Sequence, residues 1–346
     1  MATTTDLSDP TIRAWTYTTG GYPSCLQDSF LPAPSAATPL RPTQLLVRVR
    51  AAALNPADIQ LMNLPFVWSL PYLSSLRKGF GADFAGTVVA AGGTAAGFAA
   101  GDEVFGIHFM PGSGTCQEVV TVDVARGAVV AAKPEAWAWT RAAALPLVWL
   151  TGRTCVAKVE GWVPEGGTVA VLGGSSATGM YAVHLAKRRG WRVVSTCGAR
   201  NGEFVRGMGA DVVVDYTRGG VREQVERERP DAVIDCVGGT ECLGLARRYV
   251  TIVGDKTDRG LLVGAATYLW NPQMVLRTLL GKVGLRSEAY ECVNLELRKD
   301  YLEETLELDE EKIVVDSAFS FNQVKEALDR LNSGRCRGKV VVEVGS

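Results

Sequence analysis

The pattern of apolar and polar positions changes along the chain. Up to about residue 145, short β-rich runs alternate with Gly, Pro and Ala turns. Examples of these runs are LLVRVRAAAL (45–54), FAGTVVAAGG (84–93), DEVFGI (102–107) and CQEVVTV (116–122). Short strands with frequent turn residues are typical of all-β domains. We therefore predict an irregular antiparallel β-barrel or sandwich for residues 1–145.

From about residue 146 to 296, apolar strands alternate with helical stretches. The strands are TVAVLGG (168–174), WRVVSTC (191–197), DVVVDY (211–216), DAVIDCVGG (231–239) and YVTIVG (249–254). The predicted helices between them cover 179–189, about 202–208, the charged run VREQVERER, and the residues after 239. Apolar strands in this alternation indicate a parallel sheet with helices on both faces. Short connections force right-handed crossovers, so the overall class is α/β with a doubly wound (Rossmann) domain.

The last fifty residues predict two more helices and a closing strand. Ser320 and Gln323 have the spacing of a capping box, which opens a helix that runs to about Asn332. Gly334 is placed to end that helix, and KVVVEV (339–344) predicts a strand.

Composition excludes several classes of function. The chain has 346 residues, enough for two domains. Its 36 Lys and Arg residues balance 37 Asp and Glu residues, so no basic excess favours nucleic-acid binding. No apolar run reaches the roughly 18 residues that span a bilayer. The N-terminal residues 1–10 show no presequence pattern, so we expect a soluble, cytoplasmic protein.

Cysteine and histidine usage favours chemistry without a metal. The eight cysteines are scattered without a CxxC pair, and His108 and His184 are the two histidines. We expect reduced, mostly buried thiols. The sequence offers almost no Cys and His residues at the spacing that a zinc site would need.

The segment VLGGSSATG (171–179) is a glycine-rich turn between a buried strand and an amphipathic helix. In that context such a turn is typical of dinucleotide binding, because glycine lets the backbone approach a pyrophosphate. The helix N-terminus adds unpaired N–H groups and partial positive charge. Ser175, Ser176 and Thr178 add hydroxyl donors. The repeated β/α units favour this interpretation over an ordinary strand–helix corner.

The end of the second strand of this domain predicts which dinucleotide binds. An NAD enzyme usually has an acid there for the ribose 2′-hydroxyl. Here the strand ends STCGARN, and the first acid is Glu203. A guanidinium such as that of Arg200 can hold a 2′-phosphate in a fork, whereas a carboxylate would repel it. The alternative for Arg200 is a solvated loop residue. We predict NADPH as the cofactor.

Together these motifs resemble the medium-chain dehydrogenase/reductase superfamily, in its zinc-free quinone oxidoreductase-like branch. The resemblance covers nearly the whole chain. Its marks are AALNPADIQ (52–60), GADFAGTVVAAG (81–92), GDEVFG (101–106), AAALPLVWLTG (142–152), GGSSATGMYAVHLAK (173–187), GADVVVDY (209–216), DAVIDCVGG (231–239) and RGKVVVEV (337–344). GGSSATG and STCGARN look most like fungal members, including trans-acting enoyl reductases. YVTIVGDKT (249–257) and the C-terminal third are similar to reticulon-4-interacting-protein-like oxidoreductases.

The resemblance implies a GroES-like catalytic domain (1–145), a Rossmann nucleotide-binding domain (146–296) and a C-terminal segment (297–346) that completes the catalytic domain. The active site would lie in the cleft between the domains. With the two turn glycines included, the expected cofactor contacts are Thr151, Gly174, Ser175, Ser176, Ala177, Thr178, Gly179, Arg200, Asn201, Tyr216, Val237, Val253 and Gly254. Tyr216 would lie on the adenosine side, and Thr151, Val253 and Gly254 towards the nicotinamide. Strand-end or core roles are the alternatives for Tyr216, Val237 and Val253.

The candidate catalytic residues come from the same resemblance. Asn55 and Asp58 match an N-P-x-D element beside the cofactor, and Asp58 either orients groups or stabilises a turn. Zinc-dependent relatives carry a Cys at the position of Asn55 and a His near Ala82. Relatives often have a tyrosine soon after this element, where this chain has Gln60 and Phe66. Tyr72 is the nearest tyrosine and the candidate proton donor, with water as the alternative.

These observations predict an NADPH-dependent reductase that delivers hydride to the β-carbon of an enone or enoyl thioester. The alternatives are a quinone reductase, a non-catalytic adaptor and a non-redox enzyme on the same scaffold. The substrate would be a small or carrier-bound unsaturated molecule, and a polyketide synthase is a candidate partner. An apolar strand near 279–292 would pair across a two-fold axis in a homodimer, although a monomer stays open. Several aromatic residues form either a substrate pocket or core: Phe66, Trp68, His108, Phe109, Trp149, Tyr268 and Trp270.

Overall fold

The computed structural model describes residues 11–34, 39–64, 76–94, 97–109, 114–256 and 264–345. The chain divides into two compact units, one of Met1–Leu147 with Leu297–Ser346 and the other of Val148–Glu296. The catalytic candidates Asn55 and Asp58 belong to the first unit. The glycine-rich turn belongs to the second.

Sixteen strands lie in the described residues and are numbered in chain order: β1 (Thr11–Tyr17), β2 (Gln27–Pro32), β3 (Gln44–Leu54), β4 (Lys78–Gly79), β5 (Asp83–Ala91), β6 (Glu103–His108), β7 (Val119–Asp123), β8 (Ala128–Ala132), β9 (Thr168–Leu172), β10 (Arg192–Cys197), β11 (Val212–Asp215), β12 (Ala232–Asp235), β13 (Arg248–Thr251), β14 (Ala289–Cys292), β15 (Val315–Ser320) and β16 (Lys339–Glu343). Nine α-helices lie in the same residues: α1 (Pro56–Met62), α2 (Trp139–Ala143), α3 (Pro146–Val159), α4 (Ala177–Arg188), α5 (Gly202–Gly207), α6 (Val221–Arg227), α7 (Pro272–Lys282), α8 (Lys299–Glu303) and α9 (Val324–Asn332).

The first unit is built around β3, which pairs with β5, β7 and β16. The main sheet has the order β15-β16-β3-β5-β6-β8, and β2-β1-β4 forms a separate antiparallel sheet. All pairs are antiparallel except β15 with β16. The unit is therefore a mixed sheet, because the C-terminal segment contributes one parallel pair that the N-terminal pattern alone does not predict. Alternate residues of β3, such as Leu45, Val47 and Val49, lie in its core.

The second unit is a parallel six-stranded sheet in the order β11-β10-β9-β12-β13-β14. This order confirms the predicted doubly wound class. The central strand β9 runs into α4 through the glycine-rich turn. Connections leave β9 and β12 towards opposite halves of the sheet, and ligands of such folds bind at the carboxyl ends of strands at this switch point.

The segment between β12 and β13 corrects one predicted helix. Residues 240–247 form turns instead. Gly244 has a φ of +80°, and its N–H donates to the carboxylate of Glu288. The Arg222 guanidinium donates to the carbonyls of Glu241 and Leu243, at 2.7 and 2.8 Å. Tertiary partners therefore take the backbone groups that a helix would have paired.

Two further expectations have different outcomes. The predicted apolar strand near 279–292 is too long, because α7 continues through Lys282 and only Ala289–Cys292 forms a strand. None of the eight cysteines forms a disulfide, and all except the half-buried Cys336 are buried, as predicted. Within the described ranges, no helix is long and apolar enough to cross a membrane.

Candidate functional site

The glycine-rich turn after β9 is held from the side by β10. Gly173, with a φ of +82°, donates its N–H to Thr196 Oγ1 at 2.8 Å, and Gly174 donates to the Thr196 carbonyl at 2.9 Å. A Cβ atom at Gly174 would lie 2.0 Å from Ser195 Oγ, and one at Gly179 would lie 2.1 Å from the Gly173 carbonyl oxygen. The turn therefore accepts only hydrogen at both positions, because a side chain there would collide with β10 or with the turn itself.

The hydroxyl groups beside the turn have different tasks. Ser176 is the N-cap of α4, and its Oγ accepts the N–H of Gly179 at 3.0 Å. The side chains of Ser175 and Thr178 make no hydrogen bond within the described residues. Ala177 is the first residue of α4. Two hydroxyl donors and the helix N-terminus are thus available for a phosphate group.

The end of β10 carries positive charge. Arg200 and Asn201 lie in a single 3₁₀ turn, Ala199–Asn201, that follows the strand. The Arg200 side chain is exposed, and no carboxylate lies within ion-pairing distance of it in the described part of the chain. Tyr216 is 57% exposed after β11, and its hydroxyl lies 3.2 Å from where a Cβ atom of Gly198 would be. The structure thus brings Arg200 and Tyr216 to one edge of the sheet.

A buried relay organises the ends of β12 and β13. Asp235 accepts the N–H groups of Val237 and Gly238 at 3.0 and 2.9 Å and the Thr251 hydroxyl at 2.9 Å. Burial raises the pKa of Asp235. The Thr251 oxygen in turn accepts the N–H groups of Val253 and Gly254, at 3.1 and 3.0 Å.

The relay explains where three predicted cofactor contacts lie. Val237 is 47% exposed, and its Cγ1 would be 2.3 Å from a Cβ atom at Gly173, so it packs against the glycine-rich turn. Val253 is half-buried and Gly254 has a φ of +82°. A fourth predicted contact, Thr151, lies outside the relay. It is buried on α3, next to Gly152, and a Cβ atom at Gly152 would lie 3.2 Å from the Ala182 backbone nitrogen of α4.

In the first unit, Asn55 belongs to a buried polar cluster with Asp83 and Lys339. The Lys339 ammonium lies 2.9 Å from Asp83 Oδ2 and donates to Asn55 Oδ1. Asn55 Nδ2 donates to Asp83 Oδ2 at 3.0 Å, and Leu147 donates its backbone N–H to Asp83 Oδ1 at 2.8 Å. All three residues are at most 2% exposed. The amide of Asn55 is therefore fixed by protein partners.

Asp58 stabilises the backbone beside this cluster. Its carboxylate accepts the N–H of Asn55 at 2.7 Å and that of Gly81 at 3.2 Å. Burial raises the pKa of Asp58 to about 7, and the nearby charge of Lys339 lowers it. The carboxylate thus connects the start of α1 to the residues before β5.

The remaining sequence candidates do not form one group. Tyr72, Phe66 and Trp68 lie outside the described residues. Trp149 is fully buried with Tyr181 at a ring distance of 5.6 Å, whereas Phe109 and Trp270 are about half exposed. The Tyr268 hydroxyl is hydrogen-bonded to Thr278 at 2.9 Å. His108 is buried, its pKa is lowered by burial, and its Nδ1 makes no hydrogen bond in the described structure.

Sequence reasoning missed four polar side chains that organise these sites: Asp83, Lys339, Asp235 and Thr251. Each lies in or beside an apolar strand, in GADFAG, RGKVVVEV, DAVIDCV and YVTIVG. A charged or hydroxyl group inside an apolar run must find a partner when it is buried. That polar interruption is the signal that could have identified them.

Comparisons with known proteins agree with this architecture. The family described as "Alcohol dehydrogenase GroES-like domain" matches residues 41–132, and "Zinc-binding dehydrogenase" matches residues 208–342. The chain is 31% identical over 328 residues to "NAD(P)H oxidoreductase RTN4IP1, mitochondrial" of Mus musculus, covering 88% of this chain and 82% of that protein. It is 30% identical to "Trans-enoyl reductase pgmF" of Aspergillus terreus, covering 96% of both. The solved quinone oxidoreductase of Coxiella burnetii has a TM-score of 0.77 at 25% identity, covering 97% of this chain and all of that one.

Proposed function

Because the chain belongs to the medium-chain dehydrogenase/reductase superfamily, in its quinone oxidoreductase-like branch, we propose that it is an NADPH-dependent reductase of activated carbon–carbon double bonds. The substrate is an enone or an enoyl thioester. When bound, NADPH supplies a hydride from its nicotinamide C4 to the β-carbon, while the α-carbon takes a proton from Tyr72 or from water. The names of the enoyl reductase and NAD(P)H oxidoreductase relatives support this class.

The observation that carries the proposal is the cradle formed by Gly174 and Gly179. A methyl group at either position would collide with Ser195 or with the turn itself, so glycine is required for the tight path of the turn between β9 and the N-terminus of α4. The residues fit a dinucleotide: the turn and the N-terminus of α4 would hold the pyrophosphate, with Ser175 and Thr178 as additional donors. Val237, Val253 and Gly254 would position the nicotinamide end.

The preference for NADPH over NADH rests on the charge at the end of β10. Arg200 has no counter-ion among the described residues, and no acid stands between Gly198 and Gly202. A 2′-phosphate would supply the missing negative charge and accept hydrogen bonds from both arms of the guanidinium. The exposed hydroxyl of Tyr216 is a further donor at this edge.

A zinc ion, which the matched family description implies, does not fit the residues present. The amide of Asn55 stands where zinc-dependent relatives have a thiolate, and it is already bound to Lys339 and Asp83. Ala82 offers no donor. No group of three His, Cys, Asp or Glu side chains suitable for a metal occurs among the residues that the structure describes. We assign Asn55 and Asp58 to positioning the backbone of the catalytic domain, since protein partners occupy their polar atoms.

The test uses NADPH that carries deuterium at the transferred C4 position. It is offered with enones, enoyl thioesters on a small carrier and on an acyl carrier protein, and quinones, and the products are examined by mass spectrometry. Deuterium at a β-carbon supports the proposal, and a preference for the protein-bound thioester supports a synthase partner. Oxidation of NADPH by quinones alone would favour the quinone reductase. Absence of NADPH binding would contradict the proposal altogether.

We also propose self-association through α7 and the residues that follow it. Leu276, Leu279, Val283 and Leu285 are each more than half exposed, beside the edge strand β14. Exposed apolar patches of this kind are typical of interfaces. Light scattering after size-exclusion chromatography should give a dimer for the wild type and a monomer for the Leu279→Lys, Leu285→Lys variant. A wild-type monomer would contradict this arrangement.

A further inference from the structure

Arg206, which neither the sequence motifs nor the comparisons single out, lies beside the end of β10. It is one helical turn after Gly202 in α5, and a Cβ atom at Gly202 would be 3.5 Å from Arg206 Nη1. The guanidinium is therefore folded back over the first turn of the helix, towards the 3₁₀ turn that holds Arg200. Burial and Asp215 raise the pKa of Cys197, the last residue of β10, while the charge of Arg206 acts in the opposite direction.

Carboxylates near this edge of the sheet are committed to other partners. Asp215 accepts the backbone N–H and the hydroxyl of Thr217, at 3.0 and 2.7 Å, and pairs with Arg218 at 3.5 Å. Asp211 lies at the opposite end of β10, where it accepts the Val193 N–H at 2.8 Å and pairs with Lys187 at 2.6 Å. Neither Arg200 nor Arg206 has an ion-pair partner in the described ranges, although Glu203 is on the same helix as Arg206.

Arg200 follows the end of β10, and the charge of Arg206 acts on Cys197, the last residue of that strand. Neither guanidinium has a counter-ion among the described residues, and the Tyr216 hydroxyl lies beside Gly198 at the same strand end. Like charges held close together are unfavourable unless an anion lies between them. A phosphate monoester carries about −1.5 to −2 charges at neutral pH and has three acceptor oxygens, enough for both groups.

We infer that Arg206 is a second guanidinium ligand of the ribose 2′-phosphate, acting with Arg200, and that it determines cofactor specificity. The inference rests on the proposed use of NADPH. It assigns to α5 a role in binding rather than only in covering the sheet. Arg206 would then contribute to the affinity for phosphorylated ribose and would not affect the affinity for the rest of the nucleotide.

The experiment compares two small nucleotides that differ only in the phosphate. Adenosine 2′,5′-bisphosphate and adenosine 5′-monophosphate are titrated calorimetrically into the wild type and into the Arg206→Met, Arg200→Met and Arg227→Met variants. Arg227 is an exposed arginine at the end of α6 and is the matched control. We expect Arg206→Met to weaken binding of the bisphosphate by about tenfold to hundredfold, which is the contribution expected from hydrogen bonds to a charged group. Its affinity for the monophosphate, and both affinities of Arg227→Met, should stay within about twofold of wild type.

The other possible results show whether the NADPH preference or only the role of Arg206 is wrong. Equal wild-type affinities for the two nucleotides, or no binding of either, would refute the proposed NADPH preference and the inference with it. A bisphosphate preference that Arg200→Met removes and Arg206→Met leaves intact would overturn the role of Arg206 alone. Equal loss of both nucleotides in Arg206→Met would indicate a general effect on the domain and would also overturn it. Arg206→Lys, which keeps the charge without the fork, should lose less affinity than Arg206→Met.

Discussion

Replacing Lys339 by methionine tests the buried cluster of the first unit directly. The ammonium is 2.9 Å from Asp83 Oδ2 and donates to Asn55, and both side chains of the ion pair are almost completely buried. Methionine keeps much of the side-chain volume but removes the charge. Among the described residues, the Asp83 carboxylate then stays buried with only the Asn55 amide and the Leu147 N–H as donors.

Removing one partner of a buried ion pair costs about 3–5 kcal/mol, because the other charge is left uncompensated. The two remaining donors to Asp83 place the expected loss for Lys339→Met near the lower value, about 3 kcal/mol. Asp83→Asn combined with Lys339→Met removes both charges, and the Asn55 amide can then turn to pair with the new amide. We expect the double variant to recover at least about half of the lost stability.

The assay is urea unfolding, followed by circular dichroism at constant pH. The matched control is Lys299→Met, which removes an exposed ion pair with Glu303 and should cost less than about 0.5 kcal/mol. The reasoning would be refuted if Lys339→Met unfolded within about 1 kcal/mol of the wild type. It would equally be refuted if the double variant were less stable than the single one, because Asp83 would then not be the source of the loss.

Three other predictions concern single side chains. Folding raises the pKa of Asp58 from 3.8 to about 7, so the folded state holds this proton more tightly than the unfolded state does. The resulting stabilisation is complete below pH 3.8 and is lost as the pH rises through 7, by at most about 4 kcal/mol. The unfolding free energy of the wild type should therefore fall relative to Asp58→Asn between pH 5 and 8, and parallel curves would contradict the burial argument. Gly179→Ala should weaken NADPH binding at least about tenfold, because its methyl group meets the Gly173 carbonyl, whereas Gly207→Ala, in open space, should bind normally. Arg200→Ala should raise the dissociation constant of NADPH and leave that of NADH unchanged, and an unaltered NADPH constant would show that the assignment is wrong.

Local signals in the sequence predicted the elements well where neighbouring residues decide the structure. The capping box of Ser320 and Gln323 forms as expected, and the Ser320 N–H donates to Gln323 Oε1 at 3.2 Å. It opens a 3₁₀ turn, Phe321–Gln323, that continues into α9. The apolar runs 168–174 and 231–239 contain strands of a parallel sheet. The glycine-rich turn follows the first of these strands. The cap and the turn depend on contacts within a few residues, and the strands follow from continuous apolar runs, so the sequence contains the information for these elements.

Tertiary contacts decided the rest. The helix expected after β12 is absent because Arg222 and Glu288, distant in sequence, bind its backbone groups. Asn55 is a site candidate from its local N-P-x-D motif, yet its partner Lys339 is 284 positions away. No periodicity or spacing links two such positions. Burial makes their pairing necessary, because a charged group without water must find an opposite charge, but only the packing of β16 against β3 determines which group that is.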